Sequence, residues 1–557
     1  MCSAQSAGTQ VNLPDGRTAR WEGFQTGPRV LSRAEIGRFC RQLLRVPIAE
    51  LSPHAGKWIQ PERAAASHGP AIILHSATSL KKDFETSLYS LYGPVGRIAV
   101  EDPSGYGEAR SVYLAGSDDL VVGRVEPWQR AIRLAGVRAV DVGCLEYYYL
   151  SHALLKLAGE YSRTGTGVLD PLIRWLRAHP AARVMVYALD EEMLIFLLWL
   201  RRTVGLPAIR VDANAVWLSR SWAHKTQLHP WVMDVTGLSQ RESSGDSYRL
   251  LSAEHADAPF WRDFGLRVPV IPGYTIRAES DAESVFSQLA LSARFLVERY
   301  GLRIGCSKPS RGGAGSGIRK ALDLRDVAAL RVLAREVAAT GEDCVLEAHL
   351  SYLHTDLSGH RLMLAPSAHI EYGRVADGAT LQFLRDVTWQ GNIYIDESCH
   401  PGLSPAHYDG IRSVMNRLVG ASFNGEHLGL IKAGLDFGIG RLGGRFGTDI
   451  VLAVQDLNPL STGAEYLRTF LNKVAHATFP DEGSQYAATK VVRPSPRASL
   501  DVLTEAILAC RTADRCEPIA SVPGQWAMIA VSAPHPGQAV QDILAIERDL
   551  KSHKLVV

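Results

Sequence analysis

The stretch Lys308-Pro309-Ser310-Arg311-Gly312-Gly313-Ala314-Gly315-Ser316-Gly317-Ile318 places two cations ahead of six residues with small side chains or none. Glycines allow positive φ and a close approach of backbone to a ligand. Successive N–H groups in such a loop form a concave anion site, to which Lys308 adds a full charge. The chemistry that suits is triphosphate binding. No Gly-Lys-Ser/Thr follows the last glycine, so it is not a Walker A loop. The same composition also suits a flexible glycine-rich surface turn.

A triphosphate needs cations on its oxygens, Mg²⁺ held by oxygen ligands, and an apolar slot for the base. Two late segments carry suitable ligands: Ala433-Gly434-Leu435-Asp436-Phe437-Gly438 and Val454-Gln455-Asp456-Leu457-Asn458-Pro459. On a strand, residues i and i+2 face the same side, which points Asp456 and Asn458 at one place. Asp436 joins them if the two segments are antiparallel neighbours. Ordinary strands ending in Asp/Asn turns would read the same way. Lys225 and Lys308 suit phosphates, although either alone also reads as a surface residue. Glu347 closes an apolar run and suits a hinge beside purine and ribose. There the backbone of Ala348 to Leu350 would meet the base edge, and His354 or Asp356 would reach sugar hydroxyls. A strand-end surface acid is the other reading of Glu347.

These residues need elements to hold them. Helices are expected over Ala34–Leu44 (Ser32 as N-cap), Tyr147–Tyr161, Leu169–Ala178, Met193–Leu200 and its flanks, Ser284–Tyr300, Asp326–Ala339 and Ala406–Leu418. Strands are expected at Ala71–Ser76, Gly96–Val100, Asp119–Val122, Ala139–Val142, Ala182–Tyr187 and Asp343–Glu347. Alternation of strand and helix in the first 215 residues implies an open α/β layer with a mostly parallel sheet. Trp217–Val235, with Ser219 as N-cap, carries Lys225, and Val268–Tyr274 is a Pro-rich extended piece. Met363–Arg374 and Gln382–Trp389 read as paired strands. Leu428–Gly438 and Thr448–Leu457 read as two strands joined by the glycine-rich Ile439–Gly447. A closing α+β unit, about Gln485 to Val557, has helices Leu500–Cys510 and Gly537–Leu550 around a strand Trp526–Val531.

The 557 residues imply about three to four domains. Hydrophobic residues at 46% and charged residues at 21% are ordinary for a globular chain. A net charge of +2 provides no broad basic field, so nucleic acid is not an expected partner. The eight cysteines show no metal-type spacing and read as free thiols in a reducing cytoplasm. Cys306 lies near Lys308 and is a conceivable nucleophile, but a buried strand thiol is the plainer reading. The N-terminus lacks a signal-peptide pattern. Met193–Leu200 is far shorter than the roughly 20 apolar residues of a membrane span, so a cytoplasmic protein without membrane contact is expected.

In order and kind, these parts resemble the ATP-grasp superfamily over residues 210 to 475. The segments that carry it are Asn214 to Lys225, Val268-Pro269-Val270-Ile271-Pro272-Gly273, Lys308 to Gly317, Val345-Leu346-Glu347-Ala348-His349-Leu350, Gly434 to Phe437 and Asp456-Leu457-Asn458-Pro459. The phosphate loop looks like that of D-alanine–D-alanine ligases, and the closing unit is similar to the tail of pheganomycin-type peptide ligases. The fold so implied is an α/β and α+β multidomain chain. Residues 1–65 form an extension without an assigned role, 66–215 a pre-ATP-grasp α/β domain, 216–475 a two-lobed ATP-grasp fold, and 480–557 a small α+β C-terminal unit.

The resemblance implies a Mg²⁺-dependent, ATP-using ligase. It would activate a carboxylate as an acyl phosphate and join it to an amine, forming an amide or peptide bond in specialised metabolism. Alternatives are a bicarbonate-using carboxylase or carbamoyl-phosphate type, disfavoured by the absence of a biotin-carrier Met-Lys-Met, and a nucleotide-binding scaffold. By resemblance, Lys225, Lys308 and the loop Gly312, Gly313, Gly315, Ser316 and Gly317 would bind ATP phosphates. Glu347, Ala348, Leu350, His354 and Asp356 would bind adenosine, and Asp436, Asp456 and Asn458 would hold Mg²⁺. The partners implied are small carboxylate and amine substrates, with a homodimer compatible with the sequence but not dictated by it. Two departures stand out. Asp456 stands where the family usually has Glu. Gly434 and Leu460-Ser461-Thr462-Gly463 stand where many members have arginines. Lys308 and Arg311, with Arg374 and Arg441 (or Arg385 and Arg445), are the cations left to serve the substrate carboxylate or oxyanion.

Overall fold

The computed structural model describes residues 9–12, 18–21, 29–63, 69–76, 104–143, 146, 147, 149–221, 224–226, 271–311, 317–385, 388–423, 426, 427, 429–477, 485–495, 498, 500–510, 515–522 and 526–557. The expected strand Gly96–Val100 and the loop residues Gly312, Gly313, Gly315 and Ser316 lie outside the described residues, as do 227–235 and 268–270 of the expected Lys225 and Pro-rich segments. The fold is mixed, with one parallel sheet and several antiparallel ones. The chain forms two compact units. One comprises Met1–Val216, Glu465–Ala533 and Gln541–Val557, and the other Trp217–Ala464 with Pro534–Val540.

The first unit contains a six-stranded parallel sheet, in the order Ile59–Pro61, Ile209–Asp212, Arg183–Val186, Ala71–Leu74, Leu120–Gly123, Arg138–Asp141. Parallel strands covered on both faces read as continuous apolar runs, which is why Ala71–Leu74 and Leu120–Gly123 are buried at every position. Helix Arg33–Leu44 starts at Ser32, whose hydroxyl and the Glu35 carboxylate form a reciprocal capping box. Helix Glu191–Val204 is capped by Asp190 and buries every residue from Met193 to Leu200, so its apolar run is a core helix. Arg110, fully buried, pairs with Glu465 and lies over the Tyr466 ring at 4.3 Å. The later part of this unit holds an antiparallel ladder of Tyr486–Val492, Trp526–Ala533 and Cys516–Val522 beside helix Leu500–Leu508. Two of those strands had no counterpart in the sequence pattern.

Among its described residues the second unit has two main antiparallel sheets besides two short two-stranded ones. The smaller runs Arg319–Asp323, Ile304–Pro309, Cys344–Ala348, Gly273–Ile276. Its apolar face shares a core with helices Ala282–Tyr300 and Val327–Thr340, each started by an aspartate N-cap, Asp281 or Asp326. The larger sheet of this unit orders Ser351–Tyr352, Ala433–Arg441, Pro366–Glu371, Ala379–Arg385 and Thr388–Ile395, with Val451–Asn458 also paired to Ala433–Arg441. Helix Pro405–Val419 packs against the Pro366–Glu371 strand, whose Ala368 and Ile370 are buried. The opposite face carries Ser367, His369, Thr380 and Asn392, all buried.

Three expectations shift. Ser219 lies inside helix Val216–Ser221 and not ahead of its first residue. The span Gln382–Trp389 falls on two antiparallel strands, Ala379–Arg385 and Thr388–Ile395, and not on one. Strand Ala433–Arg441 begins five residues after Leu428 and continues through Ile439-Gly440-Arg441. Glycines at 438 and 440 do not break it because Leu350, Ser351 and Tyr352 pack onto them where side chains would stand. Among the described residues no helix is long and apolar enough to cross a membrane.

Candidate nucleotide and metal site

Lys308 sits on Ile304–Pro309, next to Cys344–Ala348 in the smaller sheet of the second unit. The ladder places Cys306 opposite Glu347 and Lys308 opposite Val345. Positions 306, 308, 345 and 347 therefore share a face, and Lys308 Nζ lies 2.6 Å from Glu347 Oε1. Both residues are buried, at 8% and 1% exposure. Burial alone would lower the Lys308 pKa; the Glu347 carboxylate outweighs it and holds the ammonium above its ordinary value. Lys308 Nζ also donates to Gln455 Oε1 at 3.0 Å.

Lys225 reaches the neighbouring residue. Its Nζ lies 2.9 Å from Asp456 Oδ2, and it too is buried. The segment carrying it is tied to the start of the glycine loop. Lys225 N–H donates to Ser310 O at 2.8 Å, and the Thr226 and Ser310 hydroxyls are 3.0 Å apart. Gln455 and Asp456 are consecutive, and on a regular strand they would face opposite sides. The ladder pairs Asp436 with Asp456 and Phe437 with Val454, leaving Gln455 as an extra residue. That bulge lets the two lysines end on adjacent positions of one strand.

Asp436 and Asp456 sit directly opposite each other, and Asn458 opposes Gly434. Asn458 Nδ2 donates to Asp436 Oδ2 at 3.4 Å, and Gln382 Nε2 donates to Asp436 Oδ1 at 2.7 Å. Burial raises the Asp436 pKa, and the Asp456 charge raises it further, to about 6. Hydrogen bonds from Ser367 and Gln382, and the Lys225 charge, oppose the rise. Two carboxylates whose repulsion is only partly offset, with an amide oxygen in the adjacent ladder position, form a hard-oxygen set that fits Mg²⁺. Among the described residues no three His, Cys, Asp or Glu side chains cluster as a metal-binding group. The set is two carboxylates and an amide, which suits a cation that takes its other ligands from phosphate and water.

Other expected residues lie in varied settings. Gly317 adopts φ 68°, and a Cβ there would come within 2.9 Å of Pro309 Cγ, so the loop's exit requires glycine. The Ala348 N–H donates to Pro272 O at 2.8 Å and the His349 N–H to Ile304 O at 3.2 Å; both donors are already engaged. Leu350 is buried. His354 and Asp356 lie on the hairpin strand His354–Leu357, and Asp356 Oδ1 accepts from the Gly359 N–H at 2.8 Å, a turn contact.

The arginines are not brought to the carboxylate pair. The Arg311 N–H donates to Glu342 Oε1 at 2.6 Å, and its Nε to His224 Nε2 at 3.1 Å. Arg374 is the partner of Glu371 at the far end of Pro366–Glu371, four residues on from Ser367, which faces Asp436. Arg441 is five residues along the strand from Asp436, about 17 Å, and its Nε donates to Thr448 O at 3.1 Å. Arg445 Nη2 donates to Glu298 O at 3.4 Å, and Arg385 faces Thr388 at the hairpin corner. Nor does Gly434 leave room for an arginine. A Cβ there would lie 2.7 Å from Thr462 Cγ2 and 3.2 Å from His369 Nδ1. Cys306 is buried, and burial pushes its thiol up to about 12, which removes it as a nucleophile.

Gln382, Ser367 and Gln455 escaped sequence reasoning. Their roles depend on ladder register and a bulge, and no local motif marks either.

No protein-family model matches the chain, and no curated protein matches it. Solved structures are similar at low identity. The ADP complex of the N5-carboxyaminoimidazole ribonucleotide synthetase purK is 8% identical, with 89% of this chain and 99% of that one covered and a TM-score of 0.42. The Staphylococcus aureus N5-carboxyaminoimidazole synthetase with ADP is 11% identical, covering 88% and 99%, at 0.42. D-cycloserine synthetase DcsG is 14% identical, covering 53% and 87%, at 0.26.

Proposed function

We propose that the second unit binds ATP with Mg²⁺ and works as an ATP-grasp ligase, joining a small carboxylate to an amine. The observation that carries this reading is the convergence of Lys308 and Lys225, from separate segments, on Gln455 and Asp456 beside the Asp436 carboxylate. Two buried ammonium groups, the buried Glu347 and the half-buried Asp436 and Asp456 are gathered at a desolvation cost that their mutual pairing offsets only in part. A triphosphate with its cation complements both signs.

In this reading Lys225 and Lys308 exchange their carboxylate partners for phosphate oxygens, and residues 312–317 cover the phosphates. Asp436, Asp456 and Asn458 would hold Mg²⁺, which when bound neutralises charge on the phosphoryl group. Glu347 borders the nucleoside. A substrate carboxylate oxygen attacks the γ-phosphorus and ADP leaves; an amine then attacks the acyl carbon and phosphate leaves. Phosphoryl transfer of this kind asks the protein for positioning and charge stabilisation, not for a nucleophile. The buried Cys306 is consistent with that demand. Residues 66–215 are assigned as the accompanying pre-ATP-grasp part and 480–557 as the closing unit.

The test is a screen of carboxylate and amine pairs for ADP release, with mass spectrometry of the product. Lys308→Ala and Asp456→Ala should abolish substrate-dependent ADP release while circular dichroism stays unchanged. Wild-type rates in either variant would refute the site. ATP binding without turnover across a broad panel would point to a nucleotide-binding scaffold.

A further inference from the structure

We infer that Gln382 is a positioning residue for the candidate metal carboxylates, fixing the orientation of Asp436 from two strands away. This rests on the reading of Asp436 and Asp456 as holders of a divalent cation.

Asp436 pairs with Ser367 on the adjacent strand, and Ser367 pairs with Thr380 on the next. Gln382 is two residues beyond Thr380 and so shares its face. To reach Asp436 it must span two inter-strand spacings, about 9–10 Å between backbones. Gln382 is level with Ala365 and Asp436 with Ser367, so the path also crosses two residues of strand length, and the small alanine and serine side chains leave that diagonal open. Gln382 Nε2 completes the reach, donating to Asp436 Oδ1 at 2.7 Å. Asp436 Oδ2 lies 3.4 Å from Asn458 Nδ2, and Ser367 also hydrogen-bonds the carboxylate. Of the two amide contacts, the 2.7 Å one from Gln382 is the shorter, and it anchors one carboxylate oxygen to the sheet.

The residue type also fits. An amide donates without bringing charge. A lysine or arginine in the same place would neutralise Asp436 and compete with a metal ion, and a glutamate would add a third negative charge to a crowded pair. Gln382 is itself backed by Asn392, opposite it in the ladder and buried, whose Oδ1 accepts from Trp389 Nε1 at 3.2 Å. Partners that orient metal-ligating carboxylates typically change metal affinity about 10–100-fold when removed.

The experiment is a Mn²⁺ titration of the full-length protein by electron paramagnetic resonance, with and without a non-hydrolysable ATP analogue. Gln382→Met keeps the length and loses the donor; Mn²⁺ affinity should fall about 10–100-fold, while metal-free analogue affinity and melting temperature stay near wild type. Gln382→Lys, which pairs with Asp436 directly, should weaken Mn²⁺ at least as much and serves if the Met variant misfolds. Mn²⁺ affinity within twofold of wild type in either folded variant overturns the role of Gln382. Asp456→Asn is the separate control: wild-type Mn²⁺ binding there would overturn the underlying metal reading, whereas its loss alongside an unaffected Gln382→Met would sink the positioning role alone.

Discussion

Lys225 Nζ lies 2.9 Å from Asp456 Oδ2, both within the second unit, and Asp456 in turn faces Asp436 across the ladder. The ammonium is thus the nearest counter-charge to a pair of carboxylates that would otherwise repel each other. Removing it alone leaves two acids facing one another in a partly buried setting. Breaking a buried pair from one side commonly costs about 3–5 kcal/mol, while removing both partners costs less. Lys225→Met should therefore lower the melting temperature of the metal-free protein. Asp456→Asn added to it should recover most of the loss. A double-mutant cycle by thermal unfolding in EDTA checks this, and additive effects would show that the contact contributes nothing.

Asp436 is held near pKa 6 by burial and by the Asp456 charge. An unfolded aspartate titrates near pH 4. Between about pH 4 and pH 6 the folded chain keeps a proton that the unfolded chain has lost, so this group's contribution to stability falls as pH rises through that window. Asp436→Asn should flatten that slope and stabilise the metal-free protein at pH 7 by about 1–3 kcal/mol, while weakening Mg²⁺ binding. Melting temperatures from pH 4 to 8 in EDTA, for wild type and variant, measure it. A wild-type slope in the variant would assign the pH dependence elsewhere.

Much of the second unit was readable because its signals are local. The helices expected at Ser284–Tyr300 and Asp326–Ala339 are found at Ala282–Tyr300 and Val327–Thr340, their apolar periodicity marking them and an aspartate capping each. The i, i+2 spacing of Asp456 and Asn458 needed only an antiparallel neighbour to bring in Asp436, and the ladder supplies one. The unreadable parts are set by distant pairing. Cys306 opposes Glu347 through register between strands about 40 residues apart, and that register brings Lys308 to a carboxylate. The bulge at Gln455 carries no glycine to announce it. Arg374 and Arg441 looked equivalent to any other arginine until strand length placed them several residues from Ser367 and Asp436.

Cys306 and Cys344 lie on adjacent strands and are buried, and desolvation pushes each thiol up to about 12. Thiolate is the reactive form. N-ethylmaleimide at pH 8 should therefore leave both unmodified in the native protein, while the partly exposed Cys399 and Cys510 are labelled. Peptide mass spectrometry reads the order. Early modification of Cys306 would revive it as a reactive group beside Lys308.

Gly273 faces Glu347 in the ladder, and a Cβ on it would stand 2.6 Å from Glu347 Cβ, 2.8 Å from Glu347 Cα and 2.8 Å from Leu346 O. Two of these atoms are backbone, so no rotamer change relieves the contact. Gly273→Ala must push the Gly273–Ile276 and Cys344–Ala348 strands apart just where Glu347 holds Lys308. Overpacking of this sort costs about 1–3 kcal/mol. The damage should also reach the nucleotide reading, because a displaced Glu347 no longer orients the Lys308 ammonium. The variant should show a lower melting temperature and weaker ATP binding by calorimetry. Lys308→Met, which loses the ammonium without the steric push, should also weaken ATP binding, and its melting temperature should fall too because the buried Glu347 carboxylate loses its Lys308 partner. Equal ATP affinity in Gly273→Ala and wild type would show that the Glu347–Lys308 contact plays no part in holding the nucleotide.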